Sequence, residues 1–216
     1  MNLPNALTVG RIAVTPLIAA LPFASSWQLR LIAFVLFTLA ALTDYVDGML
    51  ARSRKEETDL GRLLDPAADK LLLFGTLVPM YFLTPMMPFQ TPVGDVPLPW
   101  WVVLIVLGRE VAMTVFRQAA ARRGVVIAAI GAAKWKTGFQ LLWQGSAYCW
   151  FFADTLAERR GWFTSDSAQP WMNAFTMLNG IVGTLAMWSA VALTLYSLYL
   201  YLRRYGTLLR QPAPLR

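Results

Sequence analysis

The chain has no histidine, a single cysteine and little charge. Over 216 residues, Asp, Glu, Lys and Arg make up 14%, against 57% hydrophobic residues. Each shortage excludes something. Without histidine there is no Ser-His-Asp triad, no imidazole base and no imidazole metal ligand. Cys149 alone forms neither an internal disulfide nor a thiolate zinc cluster, and reads as a small apolar core residue. Soluble domains carry about 25% charged residues, so this charge content, with a mean hydropathy of +0.49, points into the lipid bilayer. Acid–base or metal chemistry is left to 12 carboxylates, with lysine, tyrosine or Cys149 as the remaining candidates. The net charge of +7 suits anionic lipid headgroups, and no nucleic-acid partner is expected, because nothing in the chain offers a soluble surface for a duplex.

Uncharged runs at 12–29, 31–43, 71–94, 96–108, 137–153 and 167–202 mark the spans. Extended to a bilayer-crossing length of about 20 residues, they predict an all-α polytopic membrane protein. Its six transmembrane helices fall near 6–25, 28–51, 64–85, 98–119, 137–155 and 175–203. The first run lacks a basic segment before Arg11 and reads as a retained span, not a signal peptide. One domain over 1–209 and a loose tail over 210–216 account for the chain. With six spans, sixteen of the 19 basic residues fall on the side of the two termini. The positive-inside bias therefore puts both termini and a polar cavity on the cytoplasmic side, as in a multi-pass protein of a bacterial inner membrane. The stretch 84–99 has no basic residue and is rich in proline, so it reads as an outside loop with no continuous helix. Trp100, Trp101, Trp162 and Trp171 sit near span ends as interfacial anchors.

The informative stretch is Thr43-Asp44-Tyr45-Val46-Asp47-Gly48-Met49-Leu50-Ala51-Arg52, followed by Gly61-Arg62-Leu63-Leu64-Asp65-Pro66-Ala67-Ala68-Asp69-Lys70. Asp44 and Asp47, three apart, share a face of the second helix; Asp65 and Asp69, four apart, share a face of the third. A loop of about ten residues makes these helices antiparallel neighbours, so four carboxylates converge at one end of a helix pair. Such a cluster is costly in a membrane without counter-charge. All-oxygen donors select hard divalent cations, Mg²⁺ first, with Mn²⁺ or Ca²⁺ open, and four carboxylates suit two ions of the kind that serve phosphoryl chemistry. Gly48 and Gly61 clear side chains where a ligand approaches the backbone, and Arg52 is placed to fork onto a phosphate. The plainer alternative is that the aspartates cap two helix ends and pair with Arg52 and Lys70.

Written as a pattern, D-x2-D-G-x2-A-R-x8-G-x3-D-x3-D, the stretch resembles the signature of the CDP-alcohol phosphatidyltransferase family, with every motif position present. The resemblance implies six transmembrane helices, a homodimer, a cytoplasm-facing site for two divalent cations, and transfer of a phosphatidyl group from a CDP-linked lipid to an alcohol with release of CMP. It implies that Asp44, Asp47 and Asp65 are metal ligands. Asp69 would share in metal binding and act as general base, the only class of group at hand that can take the hydroxyl proton. Gly48, Ala51, Arg52 and Gly61 would hold the CDP moiety.

Residues 2–11 resemble the P-N-x-L-T-x2-R start of this family's phosphatidylglycerophosphate synthases, with Asn5, Thr8 and Arg11 on one helix face; the resemblance adds Asn5 and Thr8 to the CDP-binding set. Arg109-Glu110-Val111, Arg117, Gly124-Val125-Val126 and Lys134-Trp135-Lys136-Thr137 are similar to those synthases too, whereas Ile130 and Ala133 depart from their Ser-x2-Gly-Lys run. Arg109 and Arg117 share a face of the fourth span, where charge must point into a cavity and not into lipid. With Lys134 and Lys136 they form a receptor for an acceptor phosphate dianion. Arg122 and Arg123 read as positive-inside anchors, Glu110 as a partner of Arg109 or a neighbouring arginine. Gln140, Gln144, Asn173 and Asn179 read as interhelical hydrogen-bond pairs.

The expected activity is transfer from CDP-diacylglycerol to glycerol-3-phosphate, forming phosphatidylglycerol phosphate. Alternatives within the family are a cardiolipin synthase taking phosphatidylglycerol, and inositol-phosphate or serine transferases. Outside it stand a divalent-cation transporter, disfavoured because the four aspartates sit at one end of the bilayer, and a non-catalytic scaffold.

Overall fold

The computed structural model describes residues 3–54, 59–125, 127 and 131–205, without the side chains of 3–4, 44–54, 59–63, 65 and 132–134. The tail at 210–216 lies outside the described residues. Six α-helices run through the rest: α1 Leu3–Ala20, α2 Trp27–Arg54, α3 Asp59–Leu83, α4 Trp100–Ala121, α5 Gly131–Arg160 and α6 Gln169–Tyr205. Each helix overlaps one of the six uncharged runs, but the bounds shift toward charged flanks that are also good helix formers; α1 is displaced furthest, because the run 12–29 also takes in the corner at 21–26 and the start of α2. The connection from α2 to α3 is consequently shorter than the ten residues expected. Arg159 and Arg160 end α5, and Arg203 and Arg204 end α6, where cations complement the carbonyl end of the helix dipole. Gly124, at φ 73°, follows α4, and Val125 N–H reaches back to the Ala120 carbonyl at 3.0 Å; the left-handed residue closes the helix.

Cross-helix contacts fix the direction of each helix. Arg11 meets Asp69 and Thr15 faces Gly75, so α1 and α3 run parallel. Phe34 packs on Phe152 and Phe37 on Tyr148, so α2 and α5 are antiparallel. Trp101 touches Trp188 while Arg109 reaches Ser197, so α4 and α6 are parallel. The helices therefore alternate up and down, and α1 packs on both α2 and α3. The central element is α5, whose Trp143, Tyr148, Trp150 and Phe151 are all within 2% of complete burial and which pairs most extensively with α6.

The outward faces are as apolar as the inward ones. On α2, Ala33, Phe37 and Ala40 are buried while Ile32, Val35, Leu39 and Leu42 are exposed. A helix apolar all round needs a nonaqueous surrounding on its outer side. Two helical segments, Asn5–Phe23 and Gln169–Tyr205, are long and apolar enough to cross a bilayer by length and composition. Trp100 and Trp171 stand exposed at the first turns of α4 and α6, and Trp135 near the start of α5, as tryptophans do at the two faces of a membrane. This is a helical membrane protein.

The stretch 84–99 is non-helical, as its prolines predict, but it is more ordered than a loop. Phe89–Thr91 (β1) and Gly94–Val96 (β2) form an antiparallel hairpin in the register Phe89↔Val96. Thr84 Oγ1 accepts from Leu98 N–H at 3.1 Å across its base. The hairpin lies on α6 at Gly180 and Gly183: a Cβ on Gly180 would collide with the Gln90 carbonyl, and one on Gly183 would meet the Phe89 ring. Strands of three residues carry no readable period in the sequence, and the two glycines that admit them are some ninety residues away.

Candidate active site

At the end opposite the hairpin, α3, α4 and α5 enclose a cavity of about 340 Å³, within the range of small-molecule sites. Its wall combines Asp69 and Lys70 from α3, Arg109, Glu110 and Arg117 from α4, and Lys136, Gln140 and Gln144 from α5. Cations outnumber carboxylates in this set, so the cavity favours an anionic ligand.

Arg109 is 7% exposed; two of its three guanidinium nitrogens have partners, and Nε has none among the described residues. Nη1 donates to Glu110 Oε1 at 2.9 Å and Nη2 to Ser197 Oγ at 3.1 Å. Just over two turns along α4, Arg117 Nη2 donates to Tyr201 Oη at 3.3 Å. The Tyr201 ring lies 5.9 Å from the Arg109 guanidinium and 5.7 Å from that of Arg117, a cation–π bracket from α6 that holds both. Lys136 Nζ also donates to Glu110 Oε1. One carboxylate thus orients two of the expected phosphate-binding cations, and the reading of Glu110 as an arginine partner holds with Lys136 added. Arg122 and Arg123 are not part of the cavity wall.

Asp69 stands on the same wall with its side chain 58% exposed, and accepts from Arg11 Nη1 at 3.2 Å. Arg11 is buried, as are Asn5 and Thr8, so the three-residue spacing on α1 does turn one face inward. Asp44, Asp47, Gly48, Ala51 and Arg52 belong to α2, and Gly61 and Asp65 to α3; their side chains, and that of Lys134 on α5, lie outside the described residues. Among the described residues no three metal-ligating side chains gather, since three of the four aspartates are not among them. Asp69 itself offers oxygen to the cavity in a chain without imidazole, which is the donor chemistry of a hard divalent cation.

Two residues with a place here were read differently from sequence. Gln140 and Gln144 were expected to pair between helices. Both are buried, at 4% and 1% exposure, and their Nε2 atoms have no partner among the described residues. Asn179 does pair between helices, donating to the Ser146 carbonyl at 3.2 Å, whereas Asn173 is exposed. Ser197 and Tyr201 had no signal beyond their four-residue spacing within an apolar run.

A family model for CDP-alcohol phosphatidyltransferase matches residues 1–196. A CDP-diacylglycerol–glycerol-3-phosphate 3-phosphatidyltransferase of Arabidopsis thaliana is 36% identical over 65% of this chain and 48% of its own length. The Bacillus subtilis protein of that name is 33% identical over 65% of this chain and 73% of its own length. A CMP-forming cardiolipin synthase of Oryza sativa is 32% identical over 65% and 44%. The chain spans about half the length of the two plant relatives. With the family's motif complete between Asp44 and Asp69, and a match over nearly the whole sequence, the chain belongs to the CDP-alcohol phosphatidyltransferase family.

Proposed function

We propose that the protein is a membrane-embedded transferase that moves the phosphatidyl group of CDP-diacylglycerol to glycerol-3-phosphate, releasing CMP and forming phosphatidylglycerol phosphate. The observation that carries the acceptor is the cavity itself: Asp69 shares one wall with Arg109, Arg117 and Lys136. A dianionic phosphate suits several charge-assisted donors, with arginine forks for geometry and lysine as a point charge. An acceptor hydroxyl on the same small molecule would then lie within reach of a carboxylate base.

In this reading residues 1–209 form one domain of six transmembrane helices, used as a homodimer, in a bacterial inner membrane with the cavity toward the cytoplasm. The clustering of basic residues at the cavity end supports that orientation. Asn5, Thr8, Gly48, Ala51, Arg52 and Gly61 hold the CDP moiety. Asp44, Asp47, Asp65 and Asp69 hold two divalent cations, Mg²⁺ or Mn²⁺, which when bound offset the pyrophosphate charge and favour departure of CMP. Arg109, Arg117, Lys134 and Lys136 seat the acceptor phosphate and aim its hydroxyl at the phosphatidyl phosphorus. Asp69 takes the hydroxyl proton as the new P–O bond forms and the bond to CMP breaks. Arg11, bonded to Asp69 at 3.2 Å, fixes the carboxylate's direction.

The test is CMP release by purified protein in detergent with Mg²⁺ and CDP-diacylglycerol. Release that depends on glycerol-3-phosphate and stops with a chelator is the expected result. Release only with phosphatidylglycerol would replace the acceptor, as the similarity to the rice cardiolipin synthase allows. Divalent-cation uptake into proteoliposomes without CMP release would overturn the reading.

A further inference from the structure

Among the described residues, two buried amides have donor nitrogens that the bundle's own packing leaves unpaired. Gln140 and Gln144 lie one turn apart on α5, 4% and 1% exposed, and both form part of the cavity wall. Their Nε2 atoms have no hydrogen-bond partner among the described residues. A buried donor left unpaired is costly, and a side-chain amide carries two such donors. In contrast, Asn179 on the neighbouring helix is paired to a carbonyl. Lys136, one turn before Gln140 on the same face, is already held by Glu110. Along α5 the wall therefore passes from a cation to two neutral donors. This sequence fits a ligand with a phosphate at one end and a hydroxyl-bearing carbon beyond it.

We infer that Gln140 and Gln144 donate hydrogen bonds to the acceptor hydroxyl that does not attack the phosphatidyl phosphorus, and so set the preference for a polyol phosphate. The inference rests on the acceptor reading above and assigns it two further residues. A site built to bond a hydroxyl discriminates against the analogue that lacks it, because its buried donors are then left without partners. Replacing a glutamine by leucine removes the donor and keeps similar bulk, and the unpaired Nε2 takes no internal donor bond with it.

The experiment compares glycerol-3-phosphate with 3-hydroxypropyl phosphate, which lacks the middle hydroxyl, in wild type, Gln140→Leu and Gln144→Leu. Wild type should prefer glycerol-3-phosphate by about tenfold or more in kcat/KM. In at least one variant the preference should shrink to within about twofold, through a higher KM for glycerol-3-phosphate, with the KM for CDP-diacylglycerol and the thermal midpoint unchanged. Full preference retained in both variants overturns the inference and leaves the transferase reading intact. A lowered thermal midpoint or a raised KM for CDP-diacylglycerol, with the acceptor preference preserved, also overturns it and makes the amides structural or donor-lipid contacts. A wild-type protein that ignores glycerol-3-phosphate removes the acceptor reading, and this inference with it.

Discussion

The two ends of the bundle each tie down arginines by side-chain hydrogen bonds, and they do so to different effect. At the hairpin end Arg30 donates through Nε to the carbonyls of Pro22 and Ala24 at 3.0 and 2.9 Å, and through Nη1 to the Thr155 hydroxyl and to Met87 Sδ. Its hydrogen-bond partners are backbone and neutral groups on the α1–α2 corner, on α5 and before the hairpin, with Asp154 and Glu158 of α5 nearby as counter-charge, so the guanidinium works as a clip. At the other end Arg109 and Arg117 are held by Glu110, Ser197 and Tyr201 while forming part of a cavity wall. The first arrangement closes a set of donors onto the protein. The second braces the donors from behind and leaves space in front. A buried cation reads as ligand-binding only when the structure keeps volume beside it.

The comparison can be broken by substitutions that cross its two halves. The largest effect is expected at the cavity end: Asp69→Asn should lower kcat for CMP release by about 10²–10⁴-fold, the usual contribution of a general base, with the thermal midpoint in detergent little changed because the side chain is more than half exposed. Arg30→Leu should do the reverse. Losing charge-assisted bonds to two carbonyls and a hydroxyl costs about 2–3 kcal/mol, read as a lower thermal midpoint, while the acceptor KM of the folded fraction stays at the wild-type value. Arg117→Ala should raise the KM for glycerol-3-phosphate about tenfold, at the scale of one charge-assisted bond, and leave the KM for CDP-diacylglycerol unchanged; a cardiolipin synthase would barely notice it. The smallest effect belongs to Tyr201→Phe, which keeps the ring beneath both arginines and loses only the hydroxyl acceptor. A two- to threefold rise in acceptor KM is expected, about 0.5 kcal/mol. Equal effects of Arg30→Leu and Arg117→Ala on the acceptor KM would erase the distinction between the ends.

Much of the bundle was legible because lipid imposes a simple rule: each span must be uncharged for about 20 residues. The run 167–202 therefore announces α6, whereas the run 12–29 covers the second half of α1 and the corner before α2. The positions of charge within helices were legible for the same reason, since Arg109 in an apolar span has nowhere to go but inward. The hairpin was not, because its strands are too short for periodicity and its seat is a pair of glycines on α6. Nor was the support of the arginines from Ser197 and Tyr201, which look like ordinary members of an apolar run. Gln140 and Gln144 misled in a more instructive way: an amide in a span needs a partner, and only the packing decides whether that partner is another helix.

By itself the sequence determined the helical class, the six helical segments and the family, through charge-free length and the spacing of eight residues from Asp44 to Asp69. Those properties are local, carried by neighbours within a few turns. The tertiary structure alone decided that α6 braces the cations of α4, that Glu110 holds Arg109 and Lys136 together, and that two glutamines of the cavity wall keep a buried donor nitrogen unpaired among the described residues. These depend on which helices meet and where space is left between them, and side-chain packing among distant segments settles both.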